Sequence, residues 1–404
     1  MGNNFLYGRN WFMKIVLVNL WKLNKGGTEK VFFDMANNLY QRGHSVTAIV
    51  NDPANTDPVF PISPGVHYCN CASVKKSLFC GKFFNNIRAC CSISRSERKR
   101  KRIKLNAMPI RNEIEKINPD IIVSFNAKAT YWLLDILGIE KPIITMFHLS
   151  VQEIIGDDMF PLYKGALERC ACIQVLMPEF VEELLKFMKP KRIVHIPNVV
   201  PQYEVQAVLD NSLIINVGRI SREHKRQHLI VEAFALLKEK FPEWNVECWG
   251  PTNVDPEYTH EIEKMIIQYG LSGRVRLCGI TDDVASKLRD ASIFALTSYS
   301  EGFGLALTEA MSMGLPAVGC INAPGVNSMV RHGKNGLLCN DTPSDIADKL
   351  AMLMADRDLR LRYGKQARND MRQYAPEKIW DEWESLLNDI LSKSFNKSES
   401  SMMC

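Results

Sequence analysis

The sequence lacks the segments that would embed the chain in a membrane or send it into the secretory route. Its 404 residues contain no uncharged apolar stretch of about 18 residues, the length that a transmembrane helix needs. The first residues carry no basic group ahead of an apolar run, and Leu6 stands where a myristoylation signal has Ser or Thr. We therefore expect a cytoplasmic protein, with Met1 or Met13 as its natural start.

The sequence also lacks the cysteine spacing of a metal or redox site. None of its 12 cysteines belongs to a Cys-x2-Cys pair. Several lie in apolar runs such as 246–249 and 275–278, where a free cysteine acts as a small apolar side chain. Since no secretory signal precedes them, we expect reduced thiols and neither disulfides nor a bound metal.

Composition indicates an ordinary globular protein with more than one core. Hydrophobic residues make up 46% and charged residues 24% of the chain. A length of 404 residues exceeds what one hydrophobic core usually spans, so two domains are predicted. The net charge is +5, but residues 95–104 alone carry +6, which leaves −1 elsewhere. The excess of basic charge is therefore a local patch.

The first half of the chain alternates between strand and helix patterns. The apolar run 14–20 is followed by the pair Gly26-Gly27, by a helical repeat that ends at Gly43, and by the apolar run 46–50. This order is a βαβ unit and predicts a parallel sheet. Further segments continue the alternation as strands at 120–125, 142–147, 172–177 and 193–196, and helices near 128–138 and 178–188.

The pattern lapses between about 199 and 212 and then resumes. Strands are predicted at 213–217, 245–249, 275–278, 293–297 and 316–319, with helices at 227–240, 257–269, 283–290 and 304–313, and further helices over 343–392. The predicted fold class is α/β, with two doubly wound domains in tandem facing a central cleft. Their boundaries are 1–199, a linker at 200–212, 213–375, and a C-terminal helix and tail at 376–404. Such domains bind ligands beyond the carboxyl ends of their strands.

One candidate site is the loop that follows the strand at 213–217. It begins with Gly218-Arg219, and Lys225 stands just before the next helix. An arginine and a lysine at the carboxyl edge of a parallel sheet are suited to bind phosphate oxygens. The alternative is a solvated loop, because Arg222 and Arg226 are charged as well.

A second candidate site spans 301–309, between an apolar strand and a helix. Gly302 and Gly304 let the backbone approach a ligand, and the first helical turn directs N–H groups at an anion. Glu301 precedes this helix, and Glu309 lies about one and a half turns along it. The alternative is a plain turn followed by a surface acid.

These motifs together resemble the family 4 glycosyltransferases of the two-Rossmann (GT-B) type. Glu301 and Glu309 match the family's Glu-x7-Glu signature, and the run 309–316 is similar to its Glu-Ala-Met-x-x-Gly-x-Pro. Gly218, Arg219 and Lys225 match its Gly-Arg…Lys loop. In the first domain, the pair Gly26-Gly27 and His148 are also similar to family positions. The resemblance covers nearly the whole chain.

The resemblance implies Rossmann-like domains and transfer of a sugar from a nucleotide sugar with retention of configuration. It also implies that helices near 376–392 cross back onto the first domain. Arg219 and Lys225 would hold the diphosphate, together with backbone N–H groups of Phe303, Gly304 and Leu305. The glycines of the two loops, Gly26, Gly27 and Gly218, would lie against the donor.

Four further positions receive roles from the same resemblance. Glu301 would face the donor sugar, Glu309 would bind the ribose, and the base would lie near Gly279-Ile280. His148 would approach the sugar from the first domain, although a lone histidine that ends an apolar strand is often only packed. No cofactor is implied. Two basic side chains and a helix end can stabilise the departing diphosphate, so we predict no metal.

An apolar and aromatic stretch, 78–94, precedes the basic run 95–104. Such a basic, aromatic helix suits an anionic membrane surface, so 78–104 is a candidate membrane contact. A solvated helix is equally compatible with the pattern. Nucleic acid is not expected as a partner, because the basic run lacks interleaved aromatics and a nucleic-acid module.

The sequence thus predicts a retaining, metal-independent glycosyltransferase, peripheral on the cytoplasmic face of the inner membrane. Its donor is a nucleotide sugar, with UDP favoured over GDP, and its acceptor is a glycan or lipid-linked glycan in surface polysaccharide assembly. One alternative is a sugar phosphorylase or a sucrose- or glucan-type synthase on the same fold. Another is a non-catalytic membrane-surface or nucleic-acid binding protein on an inactive transferase fold.

Overall fold

The computed structural model describes residues 12–20, 23, 25–54, 57–72 and 95–402, and for 95–102 and 394–402 it describes the backbone alone. The chain divides into two compact units. Unit 1 comprises Met1–Ile196 together with Trp380–Cys404, and unit 2 comprises Pro197–Ile379. Each unit is built on one parallel sheet, which confirms the predicted α/β class with Rossmann-like domains.

Unit 1 contains a seven-stranded sheet in the order β3-β2-β1-β4-β5-β6-β7. The strands are β1 (Lys14–Asn19), β2 (Ser45–Val50), β3 (His67–Asn70), β4 (Ile121–Ser124), β5 (Ile143–Met146), β6 (Cys172–Val175) and β7 (Ile193–His195). The helices are α1 (Gly27–Gln41), α2 (Arg95–Ile117), α3 (Ala127–Tyr131), α4 (Val151–Ile155), α5 (Phe160–Arg169) and α6 (Glu179–Leu185). Neighbouring strands of this sheet are parallel throughout.

The apolar strands of unit 1 are buried because helices cover both faces of the sheet. In β1, the residues from Ile15 to Val18 are all at most 1% exposed. Burial on both faces removes apolar surface from water at about 25 cal/mol per Å², which explains why this strand has no polar alternation. The continuous apolar run at 14–20 therefore forms an interior strand of the sheet, between β2 and β4.

Unit 2 contains a six-stranded parallel sheet in the order β10-β9-β8-β11-β12-β13. The strands are β8 (Leu213–Val217), β9 (Asn245–Trp249), β10 (Val275–Gly279), β11 (Ile293–Leu296), β12 (Ala317–Cys320) and β13 (Gly336–Cys339). The helices are α7 (His228–Leu237), α8 (Pro256–Gln268), α9 (Val284–Arg289), α10 (Leu305–Ser312), α11 (Pro324–Met329), α12 (Pro343–Ala355) and α13 (Arg357–Met371). The long helix α14 (Pro376–Met402) begins in unit 2, and its residues from Trp380 onward belong to unit 1.

The structure corrects several predicted elements. The helix predicted near 128–138 is an α-helix only as far as Tyr131, and Trp132–Ile136 continues it as a π-helix. The strands β3 and β13 were not predicted, and neither were the short helices α4, α5 and α11. These elements are four to ten residues long, and segments of this length show little periodicity.

Most of the segment 78–104, the candidate membrane contact, lies outside the described residues: 78–94 is not described, and neither are the side chains of 95–102. Within the described part of the chain, no helix is both long enough and apolar enough to span a membrane.

Candidate functional site

The carboxyl edge of the unit 2 sheet brings three glycines into contact. Gly218 follows β8, Gly250 follows β9, and Gly279 ends β10. The Gly218 N–H donates to the Trp249 carbonyl (2.8 Å), and the Gly250 N–H donates to the Gly279 carbonyl (2.8 Å). A Cβ on Gly250 would lie 2.1 Å from the Gly218 oxygen, so this position accepts only glycine. The loops predicted to hold phosphate and base therefore lie side by side, joined by a residue that sequence reasoning missed.

The strand order of unit 2 reverses between β8 and β11, and the two candidate motifs flank this switch point. The loop 218–227 follows β8, and the loop 297–304 follows β11. In open α/β sheets, ligands bind in the crevice at such a point. The topology thus places the two predicted motifs at the edge where a ligand is expected.

Lys225 and Glu301 form an ion pair across this switch point. Lys225 Nζ donates to Glu301 Oε1, and the same oxygen accepts a hydrogen bond from Ser298 Oγ (2.6 Å). The two side chains are only 18% and 12% exposed. The sequence predicted a role for each residue from a separate motif, and the structure brings them together over 76 positions of the chain.

Arg226 holds the loop of Lys225 in place, a role that the sequence did not indicate. Its guanidinium donates to the Thr297 carbonyl (3.0 Å) and to Asp341 Oδ2 (2.8 Å), and it lies over the ring of Tyr299. Its backbone has φ +50°, a left-handed conformation that is rare outside glycine. Thr297 Oγ1 donates in return to the Lys225 carbonyl (2.9 Å). The two loops are therefore fastened to each other directly beside the ion pair.

Gln227 also holds the loop, through hydrogen bonds from its buried side chain to the loop backbone. Its side chain is fully buried, its Nε2 donates to the Arg219 carbonyl (3.0 Å), and its Oε1 accepts from the Ser221 N–H (3.3 Å). Buried amides need such partners, because an unmade hydrogen bond costs about 1–3 kcal/mol. The turn that carries Arg219 is thus tied to the start of α7.

The second motif forms a tight turn into α10, as predicted. Gly304 is the N-cap of this helix with φ +79°, so only glycine fits without strain. Phe303 is 2% exposed and packs edge-to-face on Tyr374 at 5.4 Å. Leu305 is the first helical residue, and the N–H groups of the first turn have no partner within the helix.

Gly325 packs directly against the 301–303 backbone. Its N–H donates to the Glu301 carbonyl (2.9 Å), and a Cβ at this position would lie 2.8 Å from the same oxygen. The backbone of Glu301 is therefore fixed from the α11 side.

Three other predicted donor residues belong to the loops and helix at the carboxyl edge of the unit 2 sheet. Arg219 is exposed, and no ion pair joins it to a described residue. Ile280 is 56% exposed next to Gly279. Glu309 lies half-buried on α10. Burial and the negative charge of Glu309 both raise the pKa of Tyr203.

The predicted residues of unit 1 lie at the carboxyl edge of its own sheet. Gly26 is the N-cap of α1, and a Cβ on it would lie 2.7 Å from Glu29 Oε2, so a carboxylate lies close to the glycine pair Gly26-Gly27. His148 follows β5 and stacks on Phe125 at 5.3 Å. Its Nε2 is closed off from solvent and has no hydrogen-bond partner among the described residues. Burial lowers the pKa of His148 to about 3, so the ring is neutral at pH 7.

The groups at the unit 2 switch point have the chemistry to bind an anion. Arg219, Lys225 and the first turn of α10 direct positive charge at the unit 2 switch point, and Glu301 and Glu309 supply hydrogen-bond acceptors beside it. Within the described ranges, no group of three or more His, Cys, Asp or Glu side chains is arranged to hold a metal ion.

Two family profiles match consecutive parts of the chain. The profile described as Glycosyltransferase Family 4 matches residues 25–202, and the profile described as Glycosyl transferases group 1 matches residues 202–370. An uncharacterised glycosyltransferase from Haemophilus influenzae is 25% identical over 369 residues, covering 90% of this chain and 96% of the relative.

Solved structures share the fold over almost the whole chain. Sucrose-phosphate synthase from Thermosynechococcus elongatus aligns with a TM-score of 0.76 at 18% identity, over 94% of this chain and 100% of that one. TarM from S. aureus, in a complex with fondaparinux, α-GlcNAc-glycerol and UDP, aligns with a TM-score of 0.74 at 16% identity, over 93% and 100%. At these identities the alignments establish the fold. Because the two profiles together span residues 25–370 and the fold agrees with them, the chain belongs to the family 4 glycosyltransferases of the GT-B type and is a glycosyltransferase.

Proposed function

We propose that this glycosyltransferase transfers a sugar from a nucleoside diphosphate sugar with retention of configuration and without a metal ion. The observation that carries the proposal is the Lys225–Glu301 ion pair at the unit 2 switch point, next to the exposed Arg219. In a nucleotide sugar the diphosphate and the sugar are bonded to each other, so the cation that binds one and the carboxylate that faces the other must be adjacent. Lys225 and Glu301 are adjacent. A UDP-sugar is favoured, with a GDP-sugar as the alternative; TarM, which has the same fold, was solved with UDP.

The chemistry follows from the charge that the reaction develops. Breaking the bond between sugar and phosphate places negative charge on the departing diphosphate, while the sugar becomes cationic. Lys225, Arg219 and the first turn of α10 stabilise the first charge, and Glu301 lies where it faces the second. Each well-placed donor contributes about 3–4 kcal/mol to such a transition state. When the diphosphate binds, Lys225 exchanges Glu301 for phosphate oxygens, which frees the carboxylate for the sugar.

Glu309 on α10 binds the ribose, and the base lies against Gly279-Ile280. The glycines Gly218 and Gly304, with Phe303 and Leu305, give the phosphates close access to backbone N–H groups. From unit 1, the pair Gly26-Gly27 and the neutral ring of His148 contribute to donor binding in this proposal.

The test measures whether the sugar is transferred in the presence of EDTA, which removes metal ions, and which anomeric configuration the product has. Proton NMR of fresh reactions with UDP-glucose, UDP-N-acetylglucosamine and GDP-mannose reports whether the anomeric configuration of the donor is kept. We expect one donor to react with retention and Glu301→Ala or Arg219→Ala to cut turnover by about 10²-fold. Arg222→Ala is the matched control, because Arg222 is an exposed cation on the same loop that pairs with Glu261 instead. An inverted product or full loss of turnover with EDTA would contradict the proposal.

The acceptor is a glycan or a lipid-linked glycan, in surface polysaccharide assembly on the cytoplasmic face of a membrane. The support is the sequence of 95–104, with a charge of +6, which forms the N-terminal part of α2. Each basic residue near an anionic surface contributes about 1 kcal/mol to binding. Replacing the seven basic residues by glutamine should abolish salt-sensitive binding to vesicles that contain anionic lipid while leaving donor hydrolysis unchanged. If the wild type and the glutamine variant bind vesicles equally, the basic part of α2 does not contact the membrane and is a solvated helix.

A further inference from the structure

Two free thiols are in contact at the end of β3. The Sγ atoms of Cys69, in β3, and Cys71, directly after this strand, are 3.8 Å apart. Alternate residues of an extended chain lie on the same face, which places both thiols on one side of the backbone. Cys69 is partly exposed, whereas Cys71 is 1% exposed. A reagent in solution can therefore reach Cys69, and Cys71 is a second thiol within reach of the Cys69 sulfur.

The other described cysteines lack this combination of a thiol contact and access to solvent. Cys320 and Cys339 are register partners on β12 and β13, but both are at most 3% exposed. Cys170 and Cys172 repeat the spacing of one intervening residue and are buried as well. Cys278 is partly exposed, but its Sγ donates to a backbone carbonyl (3.7 Å). Among the described cysteines, the pair at the end of β3 is therefore the one open to chemistry from solution.

The contact makes the two thiols unequal. A hydrogen bond from the Cys71 thiol lowers the pKa of Cys69, and the charge of Lys116 acts in the same direction, against burial and the charge of Glu113. The same hydrogen bond, together with burial, raises the pKa of Cys71. The thiolate is the nucleophilic form of cysteine. Cys69 is therefore the thiol that attacks first.

Asn70, the residue between the two thiols, is bonded to the chain that follows β2. Its Nδ2 donates to the Asp52 carbonyl (2.8 Å), and its Oδ1 accepts from the Asp52 N–H (3.2 Å) and the Ala72 N–H (3.1 Å). Asn70 is 7% exposed and Asp52 is 2% exposed. A change in the backbone between the cysteines would therefore disturb the backbone of Asp52.

Asp52 in turn holds the loop that leads to the pair Gly26-Gly27. Its Oδ2 accepts from the Leu23 N–H (2.8 Å), and its Oδ1 accepts from the Ala54 N–H (2.9 Å). Leu23 is 1% exposed and stands four residues before Gly27, where α1 begins. Hydrogen bonds to a charged carboxylate are stronger than those between neutral groups. A continuous set of hydrogen bonds thus connects Asn70, Asp52 and the loop backbone at Leu23.

A disulfide between the two thiols requires the chain to bend at Asn70. The Cβ atoms of a disulfide are about 3.5–4.5 Å apart, whereas alternate residues of a strand are about 6.6 Å apart along it. β3 stands at one end of the sheet order and pairs with β2, so the bend disturbs a single ladder. We expect this bend to turn the Asn70 side chain away from Asp52.

We propose that Cys69 and Cys71 form a redox-active dithiol, which small-molecule disulfides oxidise, and that this oxidation loosens the loop of Gly26-Gly27. The Cys69 thiolate attacks one sulfur of the small disulfide and expels the other as a thiolate. Cys71 then loses its proton, attacks the Cys69 sulfur of the mixed disulfide and expels the second small thiolate. The protons of Cys69 and Cys71 end on the two small thiols. The effect on turnover rests on the proposed transferase function, in which Gly26-Gly27 contributes to donor binding.

The direct test is the state of the two thiols after native protein has been treated with oxidised glutathione. The protein is then unfolded in a thiol-alkylating reagent and digested with trypsin. Cleavage after Arg42 and Lys75 releases the peptide 43–75, whose only cysteines are Cys69 and Cys71. We expect this peptide to carry no alkyl group and to be lighter than the dithiol form by two hydrogen atoms. Treatment with dithiothreitol before alkylation should restore two alkylated thiols.

Single-cysteine variants separate the roles of the two thiols. Cys71→Ala should retain glutathione on Cys69, because no second thiol expels it. Cys69→Ser should leave the buried Cys71 unmodified. Cys278→Ser is the matched control, since Cys278 is also partly exposed, and its peptide 43–75 should be oxidised as in the wild type. Should Cys71→Ala fail to fold, the peptide of the wild type still decides whether the disulfide forms.

Hydrogen exchange and donor hydrolysis measure the coupling to the loop. Oxidation of the wild type should speed exchange of the Leu23 amide and lower donor hydrolysis, each by about tenfold, as expected when a hydrogen bond to a charged group is lost. Asn70→Ala should show both changes while its thiols are reduced. Cys69→Ser treated with oxidised glutathione should keep the exchange and hydrolysis rates of the reduced wild type.

Three results would overturn the inference. The first is two alkylated thiols in peptide 43–75 of the treated wild type, and the second is a bond from Cys69 to a cysteine other than Cys71. The third is an oxidised protein in which exchange at Leu23 and donor hydrolysis are unchanged. Failure of every donor to react would instead refute the proposed transferase function, and the peptide masses and the exchange at Leu23 would still test the dithiol.

Discussion

At the scale of single residues, the candidate site depends on contacts that the sequence displays only in part. Lys225 and Glu301 were predicted to act on one ligand, and the structure joins them in an ion pair. Arg226 looked like one more charge of a solvated loop, yet its guanidinium contacts Thr297 and Asp341. Sequence patterns cannot show this, because those partners lie 71 and 115 positions away and one of them is a backbone carbonyl.

Arg226 provides a test of loop positioning. Arg226→Gly removes the guanidinium contacts but relieves the left-handed backbone, which costs a non-glycine residue about 1–2 kcal/mol. Arg226→Ala removes the contacts and keeps the strain. We expect both variants to lower kcat/KM for the donor about tenfold and Arg226→Ala to be the less stable in urea. Wild-type kinetics in Arg226→Gly would show that the backbone conformation alone positions Lys225.

Two histidines predict how stability depends on pH. Burial lowers the pKa of His148 to about 3, and burial together with Arg222 and Arg226 lowers that of His228 to about 4, from an ordinary value of 6.5. Below pH 6.5 the two histidines are protonated in the unfolded chain but remain neutral in the folded chain. The free energy of unfolding therefore falls as the pH drops toward 4. The slope is at most about 1.4 kcal/mol per pH unit for each group, smaller for the partly exposed His228, and the effect vanishes well above pH 6.5.

Urea unfolding at pH 7.0, 6.0 and 5.0 measures this slope. His148→Asn and His228→Asn should each flatten it. His260→Asn, at a position that is 65% exposed, should leave it unchanged. If neither His148→Asn nor His228→Asn alters the slope, other titratable groups cause the loss of stability at low pH.

At the scale of elements, long periodic segments were predictable and several short ones were not. The strands β1 and β8 and the helix α10 lie within about one residue of their predicted places, and α1 ends two residues before Gly43, where its repeat was predicted to end. The strand β3 was missed because it is partly exposed and has a polar residue at each end. Length does not explain why β13 was missed, because β11 and β12 also have four residues and were predicted. The π turn after α3 was missed because its apolar spacing reads as an ordinary helix.

The close contact between α11 and the 301–303 loop gives an element-scale prediction. Gly325→Ala places a methyl group 2.8 Å from the Glu301 carbonyl, so backbone must move. We expect a loss of about 1–3 kcal/mol in the free energy of unfolding and a fall in turnover, since Glu301 is displaced.

Gly165→Ala is the control for that substitution. A Cβ on Gly165 meets nothing within 4 Å, and the position lies inside α5, where alanine is favoured by about 1 kcal/mol. Gly165→Ala should therefore stabilise the protein with unchanged turnover. A Gly325→Ala protein as stable and active as the wild type would mean that the two loops separate easily.

At the scale of the whole molecule, the chain returns to unit 1 after unit 2 is complete. Trp380 and Trp383 of α14 are buried in unit 1, and Arg42 forms ion pairs with Asp381 and Glu384. Only the family resemblance predicted that a helix near 376–392 packs on the first domain. The apolar spacing of this segment predicts a helix but does not indicate which of the two cores the helix packs against.

Trp383→Ala tests this docking. Removing a tryptophan that is 2% exposed should cost unit 1 about 3–5 kcal/mol, and hydrogen exchange should accelerate in β1, β2 and α1. Exchange in the unit 2 strands should stay near the wild-type rate. Ser385→Ala, on the exposed face of the same helix, is the control. Equal acceleration in both units would show that they unfold as one.

The central claim is that the unit 2 switch point binds a nucleoside diphosphate through Arg219 and Lys225. The most direct measurement is a thermal-shift comparison of UDP, GDP, ADP and CMP with the wild type and with Arg219→Ala. A ligand that binds only the folded state adds about 2.7 kcal/mol at a hundredfold excess over its Kd. The account predicts a rise with UDP that Arg219→Ala loses. No rise with any nucleotide in a folded sample, or an equal rise in Arg219→Ala, would contradict it.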